Sequence, residues 1–151
     1  ALAMEMRVIG FDPFAKSLPA GIEAVDLATL WRESDAISLH CPLTADNRGL
    51  LNAETLAQCK RGVIVVNTAR GGLIDEAALL DALRSEHVGA VGLDVFDVEP
   101  LPNTHPFRTM HQVHATPHLG YVTQNSYRAF YNGVVEVIAA YLSGQPVRVL
   151  V

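Results

Sequence analysis

Short apolar runs alternate along the chain with stretches whose apolar residues recur at helical spacing, the pattern of an α/β domain on a parallel sheet. Arg7–Phe11 (RVIGF) predicts a strand ending at Asp12-Pro13, and Ala36–His40 (AISLH) a second, closed by Cys41-Pro42. Val63–Asn67 (VIVVN) is β-branched and apolar on both faces, which predicts a central strand covered on each side. Ala90–Leu93 and Val113–Ala115 are shorter candidates. Between them, Asp75 predicts an N-cap for a helix over Glu76–Glu86, with Ile74 and Leu79 placed for a hydrophobic staple. Asn52 is the corresponding cap for a shorter helix through Gln58. From Thr123 onward Phe130, Val134, Val137, Ile138, Tyr141 and Leu142 keep helical spacing until Ser143-Gly144-Gln145-Pro146 stops the helix.

The chain begins in an unusual place for such a fold. Ala1–Met6 reads as the tail of a helix running straight into a strand. In a dinucleotide-binding sheet that helix comes after a strand and a GxGxxG turn, and this sequence contains neither. The expectation is an incomplete doubly wound parallel sheet, with the first strand and the phosphate loop outside these residues. Residues 1–122 would be a partial cofactor domain and 123–151 a helix and tail. Because the first strand lies in the middle of such a sheet, two half-sheets with unpaired edges would result. The 151 residues alone are then expected to be unstable or inactive, and the working protein longer.

Composition narrows the classes further. Eleven Lys+Arg against 16 Asp+Glu give a formal charge of −5, which argues against a non-specific nucleic-acid or anionic-membrane binder. Half the residues are apolar and 18% charged, the mix of an ordinary packed domain. No apolar run approaches the length of a bilayer span, and Ala1–Met6 lacks the basic-then-apolar layout of a secretory signal. Cys41 and Cys59 are too few and too loosely spaced for a disulfide framework or a zinc site, so a reducing, cytoplasmic setting is expected.

Candidate chemistry gathers just past the strands. Asp12 stands where an acid accepts both ribose hydroxyls of NAD and repels the 2′-phosphate of NADP, although Asp-Pro also starts ordinary turns. Arg70 comes just after the strongest strand, within Asn67-Thr68-Ala69-Arg70-Gly71-Gly72, and its planar fork suits a carboxylate. Asp94-Val95-Phe96-Asp97-Val98-Glu99-Pro100 sets carboxylates after the next strand, and Thr116-Pro117-His118-Leu119-Gly120 a histidine after the one beyond. A His–Glu pair suits proton transfer near neutral pH, because the carboxylate fixes the ring tautomer and favours the imidazolium. Each of these residues, taken singly, also has a plain structural reading as a turn former, a solvated loop acid or a surface arginine. His105, His111, His114 and His118 invite a metal, but no thiolate or carboxylate partners sit at ligand spacing, and none is expected. There is no G-x-S-x-G elbow for a serine hydrolase.

Together these segments resemble the D-isomer-specific 2-hydroxyacid dehydrogenases across almost the whole chain. The resemblance rests on His40-Cys41-Pro42-Leu43-Thr44 with Arg48-Gly49-Leu50, NTARGG ending at Gly72, GLDVFDVEP over Gly92–Pro100, and TPHLG over Thr116–Gly120. It implies a Rossmann-like NAD-binding domain and hydride transfer between NAD(H) and a 2-hydroxy or 2-keto acid. By resemblance Arg70 holds the substrate, His118 is the acid/base and Glu99 its partner. Asp12, Cys41, Pro42, Thr68, Ala69, Arg70, Asp94, His118 and Gly120 line the cofactor. Related formate dehydrogenases carry Gln where this chain has Glu99, which favours a hydroxyacid reaction. A homodimer through the cofactor domains is implied, with no nucleic-acid or membrane partner. The alternative is a corepressor-type module of the same fold that acts through NAD-dependent partner binding.

Overall fold

The computed structural model describes residues 1–150. They form two compact units, one running from Ala1 to Pro117 and the other from His118 on. The first holds six strands and three α-helices: β1 (Val8–Gly10), β2 (Ile22–Ala24), α1 (Leu27–Glu33), β3 (Ala36–Leu39), α2 (Ala53–Gln58), β4 (Val63–Asn67), α3 (Glu76–Arg84), β5 (Val88–Leu93) and β6 (Val113–Ala115). Every strand pairing is parallel, as expected of a Rossmann-like domain. The sheet is in two pieces, a pair β1-β2 and a set of four in the order β3-β4-β5-β6.

One face of the four-stranded sheet carries the core. Ile37 pairs with Val65 and Val65 with Val91, so all three point the same way, and Leu39, Asn67 and Leu93 repeat the arrangement two residues on. Trp31 of α1, Leu56 of α2 and Leu79 and Leu83 of α3 join the apolar ones among these side chains in a single buried cluster. The expectation that both faces of VIVVN would be covered is not met: Val63 and Val65 are buried, whereas Ile64 is 45% exposed. The reason is that all three helices contribute their apolar side chains to the Val65 face.

The caps explain the helix boundaries. Asn52 accepts from the amides of Glu54 and Thr55 while Thr55 Oγ1 accepts from the Asn52 amide, a reciprocal box that starts α2. Asp75 accepts from Ala77 and Ala78 to start α3 as expected, but the helix stops at Arg84 rather than Glu86. Glu86 takes a left-handed φ of 56°, and the His87 amide returns to the Ala82 carbonyl, so the chain turns directly into β5. That turn also lets β5 begin at Val88, two residues before the expected Ala90. Ala1–Met6 forms only a 3-10 turn over Leu2–Met4.

The β2 and α1 segment has no counterpart among the predicted elements. Asp26 Oδ1 accepts from the Thr29 amide at 2.7 Å to start α1, and Trp31 is 3% exposed. The second unit is organised by one helix, α4 (Gln124–Leu142), which starts after Thr123, where the helical spacing begins, and is capped by the Thr123 side chain. None of its residues is buried, and Phe130, Tyr141 and Leu142 are exposed. No helix among the described residues is long and apolar enough to cross a membrane.

Candidate functional site

The chemistry-bearing residues of the first unit stand at the C-terminal ends of the parallel strands, where α/β folds bind ligands. Asn67, the last residue of β4, is 1% exposed and organises the turn after it. Its Nδ2 donates to the Arg70 carbonyl at 2.9 Å and its Oδ1 accepts from the Ala69 amide at 3.1 Å. The Thr68–Arg70 backbone is thereby wrapped around one buried amide, the local turn that asparagine favours. Arg70 is exposed, with Nη1 donating to the Ala69 carbonyl at 2.6 Å.

Past β3 the chain turns through Cys41 and Pro42, held by Asn47 Nδ2 donating to the Pro42 carbonyl at 2.7 Å. An open groove results, lined by His40, Cys41, Pro42, Leu43, Ala69 and Arg70. Four residues expected from the sequence, Cys41, Pro42, Ala69 and Arg70, thus come together. Thr68 is exposed on the same loop but does not line the groove. The second cysteine, Cys59, is buried, which pushes its thiol up from the usual range.

Asp94, just past β5, is 6% exposed. Its amide donates to the Asn67 carbonyl at 3.0 Å and its Oδ1 accepts from Thr116 Oγ1 at 2.5 Å, tying the ends of β4, β5 and β6 together. A carboxylate this buried needs such donors to offset lost hydration. Downstream, Glu99 Oε1 accepts from the Phe96 amide at 2.9 Å, folding the loop onto its own acid. The same loop lies against the Arg70 segment: a Cβ on Gly71 would fall on the Phe96 carbonyl. Only glycine there lets the two backbones approach so closely.

Asp12 lies beyond β1, on the other sheet, and its Oδ1 accepts from the Phe14 amide at 2.9 Å. The Asp-Pro turn is therefore formed by the same carboxylate that the sequence offers to a ribose. In the second unit His118 takes a left-handed φ of 56° and its ring meets Tyr121 edge-on at 6.2 Å, with Gly120 exposed beside it. Among the described residues no three His, Cys, Asp or Glu side chains cluster as a metal site would need. His105 instead accepts from the Phe107 amide and pairs with Glu76, and His111 and His114 are exposed.

Asn67, Thr116 and Glu76 have no individual role in the sequence reading, and His105 enters it only as a metal candidate. A polar residue ending a β-branched strand is the available signal for Asn67. Nothing in the local sequence marks the other three, because their partners are 21 to 29 residues away.

Residues 1–120 match the NAD-binding domain of D-isomer-specific 2-hydroxyacid dehydrogenases. The chain is 46% identical over 140 residues to a hydroxypyruvate reductase of Thermotoga maritima, covering 91% of this chain and 46% of that protein. It is 43% identical over 146 residues to a D-3-phosphoglycerate dehydrogenase of Mycobacterium leprae, covering 95% of this chain and 28% of that one. The crystal structure of a D-isomer-specific 2-hydroxyacid dehydrogenase from Xanthobacter autotrophicus superimposes with a TM-score of 0.85 at 39% identity, over 95% of this chain and 48% of that chain. This chain therefore belongs to the D-isomer-specific 2-hydroxyacid dehydrogenase family, and it spans less than half the length of these relatives. The residues present suit a nicotinamide dinucleotide: Pro42, Leu43 and Ala69 give the groove apolar surface for a flat ring, and Arg70 sets a cation beside it.

Proposed function

We propose that the protein containing this chain is an NAD-dependent dehydrogenase that interconverts a 2-keto acid and its D-2-hydroxy acid. The observation that carries the reading is Arg70, which a buried asparagine holds at the end of β4 on a groove with apolar walls. Family membership supplies the reaction class. The strand and glycine loop that would join the two sheets and hold the pyrophosphate are supplied by polypeptide outside these residues. Support for this comes from the division between β2 and β3 and from the greater length of the relatives.

Asp12 would accept the adenosine ribose hydroxyls, which favours NAD over NADP. Cys41, Pro42, Thr68, Ala69 and Gly120 would line the cofactor, and Asp94 would accept from its carboxamide. When bound, NADH supplies the hydride for the carbonyl carbon of the 2-keto acid. Arg70 holds the substrate carboxylate through paired N–H donors and steadies the charge that develops on the carbonyl oxygen. His118 donates a proton from its ring to that oxygen, with Glu99 as the ring's partner. Cytoplasmic location and pairing of two copies through the cofactor domains complete the proposal.

The test is NADH oxidation by the natural full-length protein with a panel of 2-keto acids. Turnover of at least one of them, abolished by His118→Gln, is expected. Tight NADH binding with no turnover of any acid would sink the enzyme reading.

A further inference from the structure

We infer that Glu76 and His105 are a positioning pair that fixes the loop carrying Glu99, an inference that rests on the dehydrogenase reading above. Glu76 is the first residue of α3, and both of its carboxylate oxygens are engaged. Oε1 accepts from the Asp97 amide at 3.0 Å, and Oε2 lies 3.2 Å from His105 Nε2. His105 Nδ1 accepts from the Phe107 amide at 3.2 Å, which leaves the ring proton on Nε2, the ring atom beside the carboxylate. The ring also packs on Phe107, with centroids 4.6 Å apart. Both side chains are largely shielded, at 25% and 16% exposure, so this is not a loose surface pair.

The position of the bond matters more than its strength. Phe96 and Asp97 donate successive amides to two carboxylates, the first to Glu99 and the second to Glu76. The peptide group between them is the one that abuts Gly71. That single peptide therefore stands between the Arg70 segment and the acid proposed to pair with His118. Glu76 holds it from α3, and His105 holds Glu76. Arg48 adds a more exposed tie to the Asp97 side chain at 3.1 Å.

The chemistry demands a carboxylate. In Glu76→Gln one side of the group becomes an NH2, which would face the Nε2 proton of His105, donor against donor. His105 cannot shift its proton to Nδ1 without losing the Phe107 amide. His105→Asn, by contrast, keeps an acceptor for that amide and removes the tie to Glu76 together with the ring's packing on Phe107. The order of severity is thus Glu76→Gln, then His105→Asn.

The experiment compares wild type, Glu76→Gln, His105→Asn and Glu99→Gln in the natural full-length protein, by pH–rate profile and by amide exchange. For Glu76→Gln we expect kcat/KM for the 2-keto acid to fall by about ten- to a hundredfold, with KM for NADH within about twofold of wild type. The alkaline limb of the profile should move to lower pH, as in Glu99→Gln. Exchange should rise in residues 95–99 and not in β5. A wild-type profile in Glu76→Gln, or exchange that rises equally in β5, overturns the positioning role and leaves the dehydrogenase reading intact. Wild type inert toward every 2-keto acid defeats the dehydrogenase reading itself and the catalytic part of this inference with it. Unchanged exchange at 95–99 defeats the inference whatever the activity.

Discussion

Ile37, Val65 and Val91 sit on one face of the four-stranded sheet at 3%, 0% and 1% exposure. Val8, Ile9 and Ile22, chemically the same kind of residue in strands of the same orientation, are only half-buried in the two-stranded sheet. The difference lies in what packs on them. Three helices contribute to the cluster over β3, β4 and β5, whereas β1 and β2 contribute nothing to it. At the smaller sheet the notable side-chain ties are Arg7 to Glu23 and Glu33, exposed ion pairs of the kind that stabilise little. A β-branched run is therefore a statement about conformation, and burial depends on partners elsewhere in the chain. The division also sorts the site: Arg70, Asp94 and Glu99 stand on loops of the buried sheet, and Asp12 on the exposed pair.

The comparison breaks most visibly if core truncation costs the same on both sides. Leu83→Ala, at a position with 0% exposure, should cost about 2–5 kcal/mol in chemical denaturation. Ile22→Ala should cost about 1 kcal/mol, since the side chain is only half removed from water. Equal losses would mean that β1-β2 is as well supported as β3–β6. Glycines give a finer contrast. A methyl at Gly71 meets backbone, so Gly71→Ala should cost about 1–3 kcal/mol and displace the Phe96–Asp97 peptide. At Gly10 it meets only the ends of the Leu18 and Ile22 side chains, so Gly10→Ala should stay within about 1 kcal/mol of wild type.

The smallest expected effect concerns α1, which leads from one sheet to the other. Bonding to Thr29, side chain first and backbone second, holds the Asp26 carboxyl below its usual range. A carboxyl whose folded value is lowered stabilises above its unfolded value of about 3.9, and that contribution fades as pH falls through the folded value. The protection factor of the Thr29 amide should fall in acid while β4 stays protected, and Asp26→Asn should remove most of that pH dependence. Simultaneous loss of protection in α1 and β4 would show instead that the two regions open as one.

Legibility in the sequence runs along the same division. Val63–Asn67 is readable to the residue, because four consecutive β-branched residues bounded by Gly62 and the polar Asn67 permit little else. The N-caps Asn52, Asp75 and Thr123 are readable because capping is local chemistry. Ile22–Ala24 is not: three residues, two of them exposed, carry no periodicity to detect. α1 offers Asp26 before Leu27, Leu30 and Trp31, a usable signal hidden by its length of seven residues. Among the candidate site residues, Arg70, Asp94 and Glu99 are legible from chemistry repeated just past strand ends. Glu76 and His105 are not, since their partnership spans 29 residues and exists only once α3 and the 105–108 turn are packed together.

The central claim is a division of labour, with substrate chemistry on the buried sheet and cofactor choice on the exposed one. Steady-state kinetics of Asp12→Ala and Arg70→Lys, with NADH and the 2-keto acid varied separately, test it most directly. For Asp12→Ala the prediction is a KM for NADH raised about tenfold and a weaker preference over NADPH, with kcat kept within about twofold. For Arg70→Lys, which loses the bidentate fork, kcat/KM for the keto acid should fall about a hundredfold while KM for NADH holds. The reverse pattern, kcat lost with Asp12 and retained with Arg70, would contradict the claim.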